Sequence, residues 1–129
     1  MRTADAVVPP LDEEIEGLLD DLDGIHAGVD LIRAGFRVLG LAALDRERTQ
    51  TVLAALGGSE GADVMSLLAA TIQRLTSYDA NPALRGLGDD TAKDVRRIGE
   101  AVAFDTATSF PRDLVSEACA RIDPYADRS

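Results

Sequence analysis

The side chains that could carry out chemistry in this chain are few and widely separated. His26 is the only histidine and Cys119 the only cysteine among 129 residues. A transition-metal site needs several ligands, and a reactive thiol needs an electropositive neighbour. Only Asp23 and Asp30 lie three and four residues from His26, where they could share its helical face. We therefore expect His26 to be a structural, partly exposed residue and Cys119 to behave as a small buried hydrophobe.

Paired acidic residues occur at three places, and two convergent carboxylates can perform acid–base catalysis. The pairs are Glu13-Glu14, Asp20-Asp21 and Asp89-Asp90. Adjacent side chains on a helix point about 100° apart, so these carboxylates do not converge on one substrate. The glycine-rich segment 57–61 lacks the lysine followed by serine or threonine of a phosphate-binding loop. The sequence thus predicts no catalytic, metal-binding or cofactor-binding residue, and no enzymatic role.

One long hydrophobic pattern occupies the first third of the chain. Nine large apolar residues, which we call the seam, recur with spacings that alternate between four and three: Leu11, Ile15, Leu18, Leu22, Ile25, Val29, Ile32, Phe36 and Leu39. This a/d pattern is typical of a helix that buries one narrow stripe. It predicts one long amphipathic helix from about Leu11 to Gly40, and this chain or another chain must cover its stripe.

The charges and glycines of the same segment are uneven. Acidic residues crowd its first half, at positions 12, 13, 14, 16, 20, 21 and 23, whereas Arg33 and Arg37 lie in its second half. This distribution matches the dipole of a continuous helix. Glycines occur at 17, 24, 28 and 35, and each costs about 1 kcal/mol relative to alanine inside a helix. They fit close packing against later helices, close approach of a partner, or a break near Gly24 or Gly28.

Capping and turn residues divide the rest of the chain into shorter helices. Asp45 can cap a second helix that ends at Leu56, and Asp63 a third that ends near Ser77. Asn81-Pro82 begins a short turn of helix as far as Gly86. Later helices begin at Asp90 or Thr91 and at Pro111, and the last one ends before Pro124. The apolar residues expected to face inward are Val52, Leu53, Leu56; Val64, Leu67, Leu68, Ile72, Leu75; Val95, Ile98, Val102; and Leu114, Val115, Ala118, Ile122.

These patterns predict an all-α fold, a small helical bundle of five or six helices led by the long amphipathic helix. Because 129 residues suit a single domain, we expect one helical domain over 11–124, with tails at 1–10 and 125–129. We find no apolar run of about 18 residues and no signal-peptide pattern. The protein is therefore expected to be cytoplasmic and without a membrane span.

The charge balance limits the classes of partner. The formal net charge is −10, from 23 acidic and 13 basic residues, which disfavours binding to nucleic acids and to anionic membranes. Aromatic residues make up 4% of the chain and tryptophan is absent, so a stacking platform for bases or sugars is not expected. Lys93 is the single lysine, and the dominance of arginine with alanine, aspartate and glycine is typical of a GC-rich bacterial or phage genome.

The sequence therefore favours a helical interaction or assembly protein that acts without a cofactor. It would pack helices against a copy of itself, as a homo-oligomer, or against a protein partner. The expected contact residues are Leu18, Leu22, Ile25, Val29 and Ile32, with Asp20, Asp21 and Asp23 setting orientation. One alternative is an acidic antagonist whose carboxylates in 12–23 occupy a basic site on another protein. A second alternative is a bundle that encloses a small apolar ligand or cofactor with His26 at its rim.

Overall fold

The structure, a computed structural model, describes residues 7–58, 62–109 and 111–123, and within these ranges every regular element is a helix. Six α-helices lie in these ranges: α1 Glu13–Asp21, α2 Ala27–Leu41, α3 Arg46–Leu53, α4 Val64–Leu75, α5 Asp89–Ser109 and α6 Arg112–Ile122. A π-helical turn, Ala54–Gly58, follows α3, and a 3-10 turn, Pro82–Gly86, precedes α5. The prediction of an all-α chain is confirmed for these residues. None of the helices within them is long and apolar enough to cross a membrane.

Backbone contacts divide the chain after Asp45 into two compact units. Unit 1 contains α1 and α2, and unit 2 contains α3 to α6. This division describes contacts and does not test whether the two units unfold together. The expectation of a single domain over 11–124 therefore stays a prediction. Of the two expected tails, residues 1–6 and 125–129 lie outside the described residues.

The prediction of one long leading helix is wrong. α1 ends at Asp21, and Gly24 has a φ of +74°, in the left-handed region that favours glycine. His26 then adopts an extended backbone with φ −165° and ψ 149°. Its Nδ1 accepts a hydrogen bond of 2.8 Å from the N–H of Gly28, which caps the start of α2. A break near Gly24, one of the three explanations for the glycines, is the one observed.

Polar contacts join α1 to α2 within unit 1. The Nε of Arg33 donates to the carbonyl of Leu19 at 2.5 Å, and its Nη1 lies 3.3 Å from the Asp23 carboxylate. Arg37 forms an ion pair of 2.8 Å with Glu16, and this hydrogen bond raises the pKa of Arg37 above its ordinary value. Leu19, which is not a seam residue, is the buried residue of α1.

A buried ion pair joins the starts of α4 and α6 in unit 2. Asp63 caps α4, because its Oδ1 accepts a hydrogen bond of 2.8 Å from the N–H of Ser66. The Nε of Arg112 donates to the Oδ2 of Asp63 at 2.8 Å, and its Nη2 donates to the Oγ of Ser66 at 3.1 Å. The Asp63 side chain is 0% exposed. The Arg112 guanidinium holds the pKa of Asp63 well below its ordinary value, against the effect of burial.

Small residues are the ones buried in α4 and α5, and one of them, Gly99, faces the end of α4. Ala69 and Ala103 are buried, as is Gly99. A Cβ added at Gly99 would collide with the side chain of Thr76, so the close approach requires glycine there. The expected inward faces of both helices are observed only in part, because Ile72 and Val95 are half-buried. The other large aliphatic residues predicted to face inward are exposed: Val64, Leu67, Leu68, Leu75, Ile98 and Val102.

Side-chain to backbone hydrogen bonds connect α3 with α6. The Nε2 of Gln50 donates to the carbonyl of Cys119 at 3.0 Å. Arg46 donates from Nε to the carbonyl of Ile122 at 3.1 Å and from Nη2 to that of Asp123 at 2.9 Å. Cys119 is buried, which confirms the prediction of a small buried hydrophobe. Leu114, however, is exposed rather than inward-facing.

Candidate interaction surface

The seam residues singled out for contact lie on α1, on the turn that follows it, and on α2. Leu18 is in α1, Leu22 and Ile25 are in the turn, and Val29 and Ile32 are in α2. Val29 is half-buried, whereas the other four are between 42% and 63% exposed. All five therefore lie in unit 1, and four of them stay exposed.

The charged residues of α2 all serve contacts with α1 and the turn. Arg33 and Arg37 bind groups on α1, as described above. Asp30, the third charged residue of α2, accepts a hydrogen bond of 3.1 Å from the N–H of Gly24 in the turn. The polar stripe of this helix consequently lies on the side of its neighbour α1, which is where an apolar stripe normally lies.

The apolar residues of α2 point away from those contacts. Four large side chains of the helix are 45–74% exposed: Leu31, Ile32, Phe36 and Val38. None of the residues of α2, all of which the structure describes, is buried. A helix that is apolar over most of its circumference is ordinarily covered by other chain segments. α2 therefore presents a surface that fits burial against a further helix or sheet.

The seam pattern identified only part of this surface. Leu31 and Val38 are not seam residues, yet they are among the most exposed apolar side chains of unit 1. The signal in the sequence was the spacing of Asp30, Arg33 and Arg37, three and four residues apart, which confines every charge of α2 to one stripe. The rest of the helix is left apolar.

The acidic residues expected to orient a partner lie at the end of α1. Asp20 and Asp21 are exposed and occupy its last turn, whereas Asp23 is within 3.3 Å of Arg33. Negative charge in the last turn of a helix opposes the helix dipole. The dipole argument made for a continuous helix therefore applies to Glu13 and Glu14 but not to the Asp20-Asp21 pair.

His26 has a structural role in this arrangement. Its ring is exposed and its Nδ1 is used to cap α2. Over the ranges that the structure describes, no group of three or more histidine, cysteine, aspartate or glutamate side chains could hold a metal ion. One open groove lies elsewhere, between α4 and α5, and Gln73, Arg74, Arg96 and Glu100 give it a polar lining.

Comparison with protein-family models, with curated proteins and with solved structures gives no match to this chain.

Proposed function

We propose that this protein is a non-enzymatic assembly protein that acts by burying the apolar surface of α2, together with the adjoining seam residues, against another protein chain. The observation that carries the proposal is the reversed polarity of α2. Its three charged side chains are directed to α1 and the turn, while Leu31, Ile32, Phe36 and Val38 are exposed. Exposed apolar surface of this extent is typical of interaction sites.

Helix-on-helix packing is the proposed mechanism. Burial of apolar area contributes about 25 cal/mol per Å², so the exposed Leu31, Ile32, Phe36 and Val38 of α2 would supply most of the binding energy. The other seam residues expected to make contact, Leu18, Leu22, Ile25 and Val29, would add to it. Gly35 has no atom within 4 Å of the position of a Cβ, and it lies on α2 between the exposed Ile32 and Val38. A partner helix could therefore approach the backbone of α2 closely. Asp20 and Asp21, at the end of α1, would favour partners with basic groups at that edge.

The test compares two exposed apolar residues of different units. Ile32→Asp places a charge on the proposed surface, and Leu114→Asp on α6 is the matched control, because both side chains are more than half exposed. The readouts are the absolute mass in solution across a range of concentrations and affinity capture from the native host. We expect Ile32→Asp to lose an assembly or a captured protein that Leu114→Asp retains. Equal behaviour of wild type and Ile32→Asp in both measurements would overturn the proposal.

A second candidate function is an acidic antagonist of a basic site on another protein. The observation that favours it is the position of Asp20 and Asp21, two exposed carboxylates in the last turn of α1, where the helix dipole disfavours them. Substitution of both by Asn should then abolish partner binding, and moderate salt should weaken it. Under the assembly proposal, the same substitution changes affinity only modestly, and Ile32→Asp has the larger effect.

A further inference from the structure

The open groove between α4 and α5 collects charged and polar side chains of unit 2. Its volume is about 290 Å³, just below the roughly 300–1,000 Å³ that is typical of sites for drug-sized ligands. The groove therefore has room for a small molecule. The side chains that could bind one come from both helices and from the segment that follows α4: Gln73, Arg74, Ser77, Arg96 and Glu100.

The two arginines of this groove differ from most arginines of the chain, because they have no partner. Arg74 and Arg96 form neither a hydrogen bond nor an ion pair with any residue that the structure describes. The chain carries 23 acidic residues against 13 basic ones, so a shortage of carboxylates does not explain the two unpaired arginines. Elsewhere in the described ranges, ion pairs are formed by Arg33, Arg37, Arg97, Arg112 and Arg121.

Two unpaired guanidinium groups in one groove are suited to an anionic ligand. Like charges repel each other, and an anion bound between them removes that repulsion. A guanidinium group is planar and can donate two parallel hydrogen bonds to a carboxylate or a phosphate. Arg74 lies in the last turn of α4 and Arg96 lies on α5. An anion held by both arginines would therefore bridge the two helices.

Glu100 limits which anions the groove can accept. It follows Arg96 by four residues, about one helical turn, yet forms no ion pair with either arginine of the groove. Its carboxylate repels a simple anion, whereas it accepts a hydrogen bond from a hydroxyl or ammonium group of a ligand. Gln73 and Ser77, whose side chains have no hydrogen-bond partner among the described residues, add neutral donors. The lining thus favours a ligand that combines an anionic group with a donor group.

We propose that the groove between α4 and α5 binds a small organic anion in which a carboxylate or phosphate lies next to an ammonium or hydroxyl group. Arg74 and Arg96 bind the anionic group, and Glu100 accepts a hydrogen bond from the neighbouring donor. Gln73 and Ser77 donate further hydrogen bonds to the anionic group. The inference uses residues of unit 2 alone and is independent of the function proposed for α2.

The first test is isothermal titration calorimetry of the full chain with three probes. Aspartate carries carboxylates and an ammonium group, phosphoethanolamine carries a phosphate and an ammonium group, and succinate is aspartate without the ammonium group. We expect aspartate or phosphoethanolamine to bind with a Kd below about 1 mM, and the tighter of the two identifies the anionic group. Succinate should bind more weakly than aspartate. Absence of binding by both ammonium-bearing probes at this concentration would overturn the proposal.

Substitution of the arginines tests whether the groove is the site. Arg74→Ala and Arg96→Ala should each raise the Kd of the ammonium-bearing probe about tenfold, with helical circular dichroism retained because both side chains are exposed. Arg85→Ala is the matched control, since Arg85 is also exposed and has no partner among the described residues, but does not line the groove. An unchanged Kd in either groove variant, or an equal rise in the control, would contradict the proposed site.

Glu100→Gln tests the role given to the carboxylate, because it should move two dissociation constants in opposite directions. Loss of the negative charge removes the repulsion of succinate, which should bind about threefold more tightly. The same loss weakens the contact with an ammonium group, so the ammonium-bearing probe should bind about threefold more weakly. A general distortion of the groove would weaken both. Changes of the same sign for the two probes would overturn the assignment of Glu100.

Discussion

At the scale of single residues, Asp63 and Arg112 show how a buried charge is stabilised in this chain. A carboxylate removed from water is costly unless several donors satisfy it. Asp63 receives hydrogen bonds from the N–H and the hydroxyl of Ser66 and from the Arg112 guanidinium. Every buried side-chain nitrogen and oxygen in the described ranges has a hydrogen-bond partner. The network therefore connects the start of α6 with the start of α4 without an unpaired group.

Removal of the arginine should be strongly destabilising. Arg112→Ala leaves the Asp63 carboxylate buried and without its counter-charge, so the free energy of unfolding should fall by about 3–5 kcal/mol. Arg97→Ala is the matched control, since its 2.7 Å pair with Asp94 is exposed and should contribute less than about 1 kcal/mol. Urea denaturation measures both. Equal losses of unfolding free energy in the two variants would show that the buried pair contributes no more to stability than the exposed pair.

The same pair predicts an acid-sensitive stability. The pKa of Asp63 is lower in the folded chain than in the unfolded chain, where it is about 3.9. Its contribution to stability is therefore fully present above about pH 5 and is lost as the pH falls below about 4 towards the folded pKa. Asp63→Asn should remove this part of the acid dependence, measured as urea midpoints over a pH series. Identical pH profiles for wild type and variant would contradict the prediction.

At the scale of elements, the regular spacing of the apolar residues concealed the break between α1 and α2. The spacing from Leu18 through Leu22 and Ile25 to Val29 continues across the turn as though the helix did not end. Periodicity records which residues are apolar, not whether the backbone between them is helical. The local signals were Gly24, which takes a positive φ, and His26, which caps α2 although histidine is seldom a strong capping residue.

Local backbone chemistry was predicted more accurately than packing. Asp63 and Asn81 cap the predicted helix starts, because a cap acts on backbone groups only two or three residues away. Pro111 precedes α6 as predicted, without a side-chain cap. The inward faces predicted for α4 and α5 were wrong at most positions, because the approach of α5 to Thr76 depends on the small size of Gly99. Which face of a helix is buried depends on the shape of the neighbouring helix, and hydrophobicity along one helix does not contain that information.

Two glycine substitutions distinguish a broken helix from a continuous one. Gly24→Ala forces a Cβ into the left-handed region and should lower the free energy of unfolding by about 1–2 kcal/mol. Gly35→Ala lies inside α2 with open space around it and should raise that free energy by about 0.5–1 kcal/mol. Thermal or urea unfolding measures both changes. A continuous helix would instead be stabilised by alanine at both positions.

At the scale of the whole molecule, the distribution of polar and apolar groups is partly inverted. In unit 1 the charged residues of α2 are used for internal contacts, and in unit 2 alanine and glycine are buried while several leucine and isoleucine residues of α4, α5 and α6 are exposed. Native chains gain most of their stability from burial of large apolar side chains. Under the proposed function this gain is completed by contacts between chains, so stability and assembly should be coupled.

This coupling predicts a melting temperature that depends on protein concentration. When the partner of the α2 surface is a second copy, association stabilises the folded state by mass action, so the Tm of the wild type should rise as the concentration is increased. Ile32→Asp, which places a charge on that surface, should melt at a temperature that does not change with concentration. Differential scanning fluorimetry over a roughly hundredfold range of protein concentration distinguishes the wild type from the variant. A flat Tm for wild type would show that the exposed surfaces do not contribute to folding.

The hydrogen bonds from Arg46 to the carbonyls of Ile122 and Asp123 have a topological consequence. They bring Arg46, the first residue of unit 2, next to Ile122 and Asp123, the last residues of the unit that the structure describes. A unit closed in this way tolerates circular permutation and insertion into a surface loop of a host protein. New ends could be opened at Gly86–Gly88, between the 3-10 turn and α5. We therefore expect unit 2 to tolerate circular permutation at this position.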